Sequence, residues 1–230
     1  MADPTTIHLH PTAPLAPRVL LPGDPGRALT LAQALLSDPR MFNHNRGLWG
    51  YTGTAPDGEP LTIQATGMGG PSAAIVLTEL AALGARTAVR VGTCGALDRA
   101  LRLGELIVAE RALSADGTSR ALGAGEHASA DPQLTRALAD SAPAARVGTI
   151  VSVDLFYTDG LPGAAHGALA VEMEAATLFT LGASLGMAVG CALVVTDTFD
   201  EQDRRTRIDA EALVGAGERM GAAALAALSR

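Results

Sequence analysis

At 230 residues, 48% hydrophobic and 18% charged, the chain can bury a sizeable core and has room for one large α/β domain or two small ones. Aromatics at 3% and a net charge of −7 leave neither the stacking platforms nor the broad basic surface that nucleic acid or an anionic membrane would require. All 17 basic residues are arginine, so lysine Schiff-base chemistry and a P-loop lysine are excluded, while planar grips on oxyanions are not.

In chain order, Val19 to Leu21 reads as a buried strand that ends in Pro22-Gly23. Asp24-Pro25 then offers an N-cap and a first-turn proline for a helix through about Leu36. Tyr51–Thr54 and Leu61–Gln64 read as two strands joined by a turn over 56–60. The stretch 67–72, GMGGPS, leads into a helix in which Ile75, Leu80 and Leu83 share a face and which Gly84 stops. Thr87–Val91 is the next strand, followed by a glycine turn over 92–95, and Leu106–Ala109 is another strand. Residues 114–130 read as an excursion rich in Ser, Ala and Gly. A helix opens at Asp131-Pro132, strands follow over 147–153 and 189–195, and helices are expected over 174–185 and from about 208. No repeat or linker divides the chain. Alternating strands and helices predict a layered α/β fold, and the early hairpin predicts a mixed sheet.

Cys94 and Cys191 are far apart and form no CxxC. The opening MADPTTIHLH has neither a basic region nor an apolar core, so a reducing cytoplasm is expected. The most apolar run, 188–195, is too short to span a bilayer. On a strand, His8 and His10 would share a face, but no third imidazole stands at a convincing strand end, and no metal is expected.

Chemistry is expected at the strand ends, where three glycine-rich turns (23–27, 67–72 and 92–95) would bring backbone N–H groups toward an anion. Arg90 lies inside an apolar strand. It is either paired with a core carboxylate or shares an anion-binding cleft with Arg27 and Thr93. Asp197, at the end of the strand CALVVT, is either a chemical group or a cap. Glu172 and Glu174 stand two residues apart in the apolar run VEMEAATLF, where unpaired carboxylates would be costly to bury.

Six ordered segments, LPGDPGRA at 21–28, NRGLWGYTGT at 45–54, TGMGGPSAAI at 66–75, RVGTCGAL at 90–97, VSVDLFYTDG at 151–160 and VEMEAATLF at 171–179, resemble the purine nucleoside and uridine phosphorylases. The hexameric bacterial-type purine branch is the most similar. The resemblance runs over nearly the whole chain. It implies one domain over 1–230, three-layered, with a mixed, partly barrel-like central sheet flanked by helices. The implied reaction is reversible phosphorolysis of a purine (deoxy)ribonucleoside to free base and (deoxy)ribose 1-phosphate. Inorganic phosphate would be a co-substrate, with no cofactor and no metal. The implied assembly is a homohexamer, a trimer of dimers, in which His8 and Arg46 are donated across the dimer interface.

By the same resemblance, Gly23, Arg27, Arg46, Arg90 and Thr93 bind phosphate, and His8, Met173 and Glu174 bind the ribose. Cys94, Gly95, Phe156, Val171, Glu172 and Thr196 line the base pocket, and Asp197 is the catalytic acid toward the purine N7. Thr196 stands where the purine branch carries Ser. Arg204, Arg205 and Arg207 all lie near enough in sequence to assist Asp197, and spacing does not choose among them. Uridine phosphorylases add a Gln-x-Arg pair after Phe-Tyr and lack an acid at the position of Asp197. Here TDGLPGAAHG follows Phe156-Tyr157 and Asp197 is present, and both points favour purine. The loop over 158–168 is shorter than in typical relatives and leaves part of the pocket wall unassigned. The alternatives are a uridine phosphorylase, or a nucleoside hydrolase such as methylthioadenosine nucleosidase, in which Arg27, Arg46 and Arg90 would have no phosphate to hold.

Overall fold

The computed structural model describes residues 6–157, 167–202 and 204–230. The expected loop over 158–168 therefore lies mostly outside the described residues. The strands are β1 (Arg18–Leu21), β2 (Ser37–Asn43), β3 (Gly50–Thr54), β4 (Pro60–Gln64), β5 (Thr87–Ala96), β6 (Leu106–Ser114), β7 (His127–Ser129), β8 (Arg146–Ser152), β9 (Ala170–Glu172), β10 (Ala188–Phe199) and β11 (Arg205–Arg207). The helices are α1 (Pro25–Leu35), α2 (Gly70–Leu83), α3 (Gly117–Ala121), α4 (Pro132–Ser141), α5 (Ala175–Leu185) and α6 (Ala210–Leu228).

All the strands belong to one mixed sheet in the order β11-β10-β6-β8-β9-β5-β1-β4-β3-β2, with β7 beside β6. A further pairing of β10 with β5 closes β5, β10, β6, β8 and β9 into a barrel-like ring. The centre of the sheet is parallel (β4-β1-β5-β10), and the hairpin β3-β4 is antiparallel.

Strand alternation assigns side chains to two cores. Val19 and Leu21 of β1, with Val189, Cys191, Leu193 and Val195 of β10, face the layer of α2 and α5. Leu20, Val89, Val91, Ala192 and Val194 face the layer of α1, α4 and α6. Covering both faces with helices accounts for the unbroken apolar runs in the sequence. The predicted three-layer α/β architecture with a partly barrel-like sheet is observed.

Local signals held where the chain supplied its own caps. The Asp24 carboxylate accepts from the N–H groups of Gly26 and Arg27, and that of Asp131 from Leu134, each ahead of a helix-opening proline. Gly84 ends α2 at φ 114°, a conformation that favours glycine.

Five expectations need correction. Residues 92–95 form no turn. They continue β5 against β10, because pairing supplies what the glycines lack in propensity. The segment 114–130 contains α3 and β7, and β2 was not expected, since its Pro39 and exposed polar residues carry no strand pattern. On α2 the buried stripe is Ala73, Val76, Leu77 and Leu80, leaving Ile75 exposed and Leu83 half-buried. Finally, His8 and His10 lie on no strand, because Glu79 and Asn43 side chains take the N–H bonds of this arm.

Candidate active site

The carboxyl ends of β1, β5 and β10 open into a cavity of about 540 Å³, walled by the start of α5, the loop at Gly67-Met68, residues 153–156 and β11. Of the residues predicted for the site, Gly23, Arg27, Arg90, Thr93, Cys94, Gly95, Phe156, Val171, Glu172, Met173, Glu174, Thr196 and Asp197 all line it. His8 and Arg46 do not.

One end is cationic. Arg90 sits on the α2/α5 face of β5, 3% exposed, where the start of α5 meets it with two carboxylates. Its Nε donates to Glu172 Oε2 at 2.8 Å, and its Nη2 pairs with Glu174 Oε2 at 2.5 Å. Its Nη1 is buried and has no hydrogen-bond partner among the described residues. Burial alone would lower Arg90, but Glu174 and Glu172 together push it up and keep it charged. Arg27, in the first turn of α1, is drawn down by burial against the pull of Asp24, and it feels Arg90 as a like charge. Two guanidinium groups held toward one another in a cavity define a place for an anion. A side chain at Gly23 would lie 4.0 Å from Arg90 Nη1, so glycine keeps that space open.

Arg90 is thus paired with core carboxylates, and its Nη1 is left without a hydrogen-bond partner among the described residues. Glu172 does most of the holding. Its oxygens accept from Ser152 Oγ, Arg90 Nε and the N–H groups of Glu174 and Ala175, and so cap α5. Glu174 stands at the N-cap position of α5. Its Oε1 accepts from the N–H of Gly69, whose φ of 84° favours glycine. Burial raises Glu174, and Arg90 opposes the shift.

The other end carries an acid. Asp197 lies within β10, which continues to Phe199 through a bulge between Val195 and Asp197. Its Oδ1 accepts from Arg205 Nε at 2.7 Å, and its Oδ2 from Thr196 Oγ1 at 2.8 Å. Of the three arginines that spacing left open, Arg205 is therefore the partner of Asp197. Arg204 is turned to Asp200, and Arg207 lines the cavity. The Arg205 guanidinium also stands over the Phe156 ring, 5.3 Å from its centroid. Burial pushes the thiols of Cys94 and Cys191 up, which leaves them protonated and unsuited to nucleophilic attack.

His8 and Arg46 share a patch of surface outside the cavity. Glu79 accepts from the N–H groups of Ile7, His8 and Leu9 and from His8 Nδ1 at 2.8 Å. Asn45, next to Arg46, donates to the His8 carbonyl at 2.9 Å. Arg46 is exposed, on a turn where its φ is 56°. Ile7, next to His8, and Trp49, three residues after Arg46, are also exposed.

Sequence reasoning missed Ser152, the Gly69 N–H and Glu79, and it named Arg207 without a position in the site. The first three act through hydrogen bonds to residues 20 to 105 positions away, for which no local pattern exists. Arg207 was noticed but could not be oriented without the pairing of β11 to β10.

Fold and cavity together define an α/β protein whose ligand site joins a cationic end to an acid-bearing end at the strand termini, the usual position for ligands in such sheets. Residues 17–229 match the family described as the phosphorylase superfamily. The chain is 39% identical over 197 residues to a DeoD-type purine nucleoside phosphorylase of Geobacillus kaustophilus, covering 81% of this chain and 83% of that one. It is 36% identical over 208 residues to one from Clostridium novyi, covering 86% and 89%. Among solved structures, uridine phosphorylase from Vibrio fischeri ES114 superposes with a TM-score of 0.79 at 29% identity, covering 94% of this chain and 92% of that one. The chain belongs to the phosphorylase superfamily.

Proposed function

We propose that this protein catalyses the reversible phosphorolysis of purine nucleosides, giving free base and pentose 1-phosphate. The observation that carries the reading is Arg90 Nη1, buried and unpartnered among the described residues beside Arg27, with Asp197 in the same cavity. Phosphate would take Nη1 and Arg27, with Gly23 and Thr93 beside it. A phosphate oxygen forms its bond to C1′ as the C1′–N9 bond breaks, and the bonding pair passes into the purine. N7 receives a proton from the Asp197 carboxyl group. Arg205 and Thr196, both donating to Asp197, stabilise the carboxylate left behind. Glu174 and Met173 hold the sugar so that C1′ meets the nucleophile in line. Glu172 keeps Arg90 and the start of α5 in register and borders the base with Cys94, Gly95, Phe156, Val171 and Thr196. The reaction uses phosphate as co-substrate and requires no cofactor.

His8 and Arg46 would complete a neighbouring subunit's site within a homohexamer. In support, they line no part of their own cavity, and Asn45, next to Arg46, is tied to the His8 carbonyl. A cytoplasmic setting fits two free, buried cysteines. Among the described residues no helix is long and apolar enough to cross a membrane.

Turnover of inosine, guanosine and uridine, with and without phosphate, tests the reading. Purine release that requires phosphate and yields pentose 1-phosphate is expected. Equal release in phosphate-free buffer would make the enzyme a hydrolase. The second reading, a uridine phosphorylase, is favoured by the Vibrio fischeri structure and predicts uridine as the preferred nucleoside.

A further inference from the structure

β11 pairs antiparallel with β10 so that Arg207 lies opposite Asp197 and Arg205 opposite Phe199. Directly opposed residues in an antiparallel pair project from the same face. All four side chains line the cavity, whereas Thr198 and Thr206, the intervening pair, do not. Arg205 is committed to Asp197 and to the Phe156 ring. Arg207 is exposed and has no hydrogen bond or ion pair among the described residues. Arginine offers only donors. The Asp197 carboxylate at this end already accepts from Arg205 and Thr196. The base end therefore carries more side-chain donors than acceptors.

A purine whose N7 faces Asp197 turns the adjoining 6-position toward the same ribbon. In 6-oxopurines that edge carries two acceptors, N7 and O6. In 6-aminopurines it carries an acceptor beside an amino donor. We infer that Arg207 reads the 6-position of the base, making 6-oxopurine nucleosides such as inosine and guanosine the preferred substrates over adenosine. This rests on the purine phosphorolysis reading above. An N6 amino group would face arginine N–H groups, donor against donor, and gain no hydrogen bond from Arg207 where O6 would gain one.

The test compares kcat/KM for inosine, adenosine and uridine, each with and without phosphate, in the wild type and in Arg207→Met and Arg207→Gln. The wild type should favour inosine over adenosine by about tenfold or more, the scale on which one base-edge contact discriminates. Arg207→Met should bring that ratio toward one. Arg207→Gln, whose amide oxygen accepts from N6 while its NH2 donates to N7, should move it further toward adenosine. Circular dichroism should be unchanged in both, since Arg207 is exposed. Equal use of inosine and adenosine by the wild type, or a ratio unmoved in both variants, overturns the inference. Turnover of uridine alone overturns this inference and the purine reading together. An inosine preference that persists without phosphate supports the role of Arg207 and overturns phosphorolysis.

Discussion

Gly92→Ala would test how tightly the cationic end is built. Gly92 lies in β5 beside Leu193 of β10, and a methyl group there would stand 2.7 Å from Arg90 Cζ, 2.8 Å from Nη2 and 3.0 Å from Leu193 Cδ2. Ordinary carbon contacts begin near ~3.5 Å, so the guanidinium must withdraw by about 0.8 Å. It has little freedom to do so, because Glu172 at 2.8 Å and Glu174 at 2.5 Å hold it from behind. Losing one charge-assisted hydrogen bond costs about 1.5–3 kcal/mol, and overpacking adds about 1–3 kcal/mol. The melting temperature should fall by roughly 5–15 °C for a chain of this size. Displacing Arg90 Nη1 by nearly an ångström should also lower kcat/KM for phosphate by about a hundredfold. Steady-state kinetics with phosphate varied at saturating nucleoside, beside a thermal melt, measures both. A variant with wild-type kcat/KM for phosphate would refute the claim that a fixed Arg90 binds it.

Four further outcomes are expected. Asp197→Asn should fold normally and lose purine phosphorolysis by about a hundredfold or more, and an unchanged rate would remove Asp197 from the mechanism. An inactive Arg46 variant mixed with an inactive Arg90 variant should regain activity after subunit exchange, and no recovery despite demonstrated exchange would count against shared sites. Glu79→Ala takes the acceptor from three consecutive N–H groups and from His8, so amide exchange at residues 7–9 should accelerate while β5 stays protected. Unchanged exchange in the arm would show that Glu79 does not anchor it. Hydrogen bonds from Arg18, then from Ser229, hold the Asp57 carboxyl below the ordinary range. A lowered carboxylate stabilises the fold above its unfolded value and loses that contribution as pH falls through the folded one. The stability gap between wild type and Asp57→Asn, about 1 kcal/mol for a pair whose carboxylate side is open to solvent, should therefore be full at pH 7 and shrink below about pH 4. A gap that widens in acid would contradict this.

Much of the fold was legible because its signals were local. Asp24-Pro25, Asp131-Pro132 and Gly84 carry their own start and stop chemistry, and the apolar runs of β1 and β10 mark strands covered on both faces. What local reasoning lost were elements whose order comes from a neighbour: β2 at an edge with Pro39, β7 and α3 in a stretch poor in large apolar groups, and the glycines of β5 held straight by β10.

The chain by itself determined which chemical groups would be present, because six ordered motifs and an all-arginine set of cations carry that information in residue identity. It also determined the layered α/β class, through periodicity and caps. Which groups meet was decided in three dimensions. Arg205 rather than Arg204 reaches Asp197, Glu172 braces Arg90 and caps α5, and one nitrogen of Arg90 has no partner among the described residues. Each follows from strand register or from hydrogen bonds spanning up to about a hundred residues, and a one-residue slip of β11 would turn Arg205 and Arg207 away from the cavity.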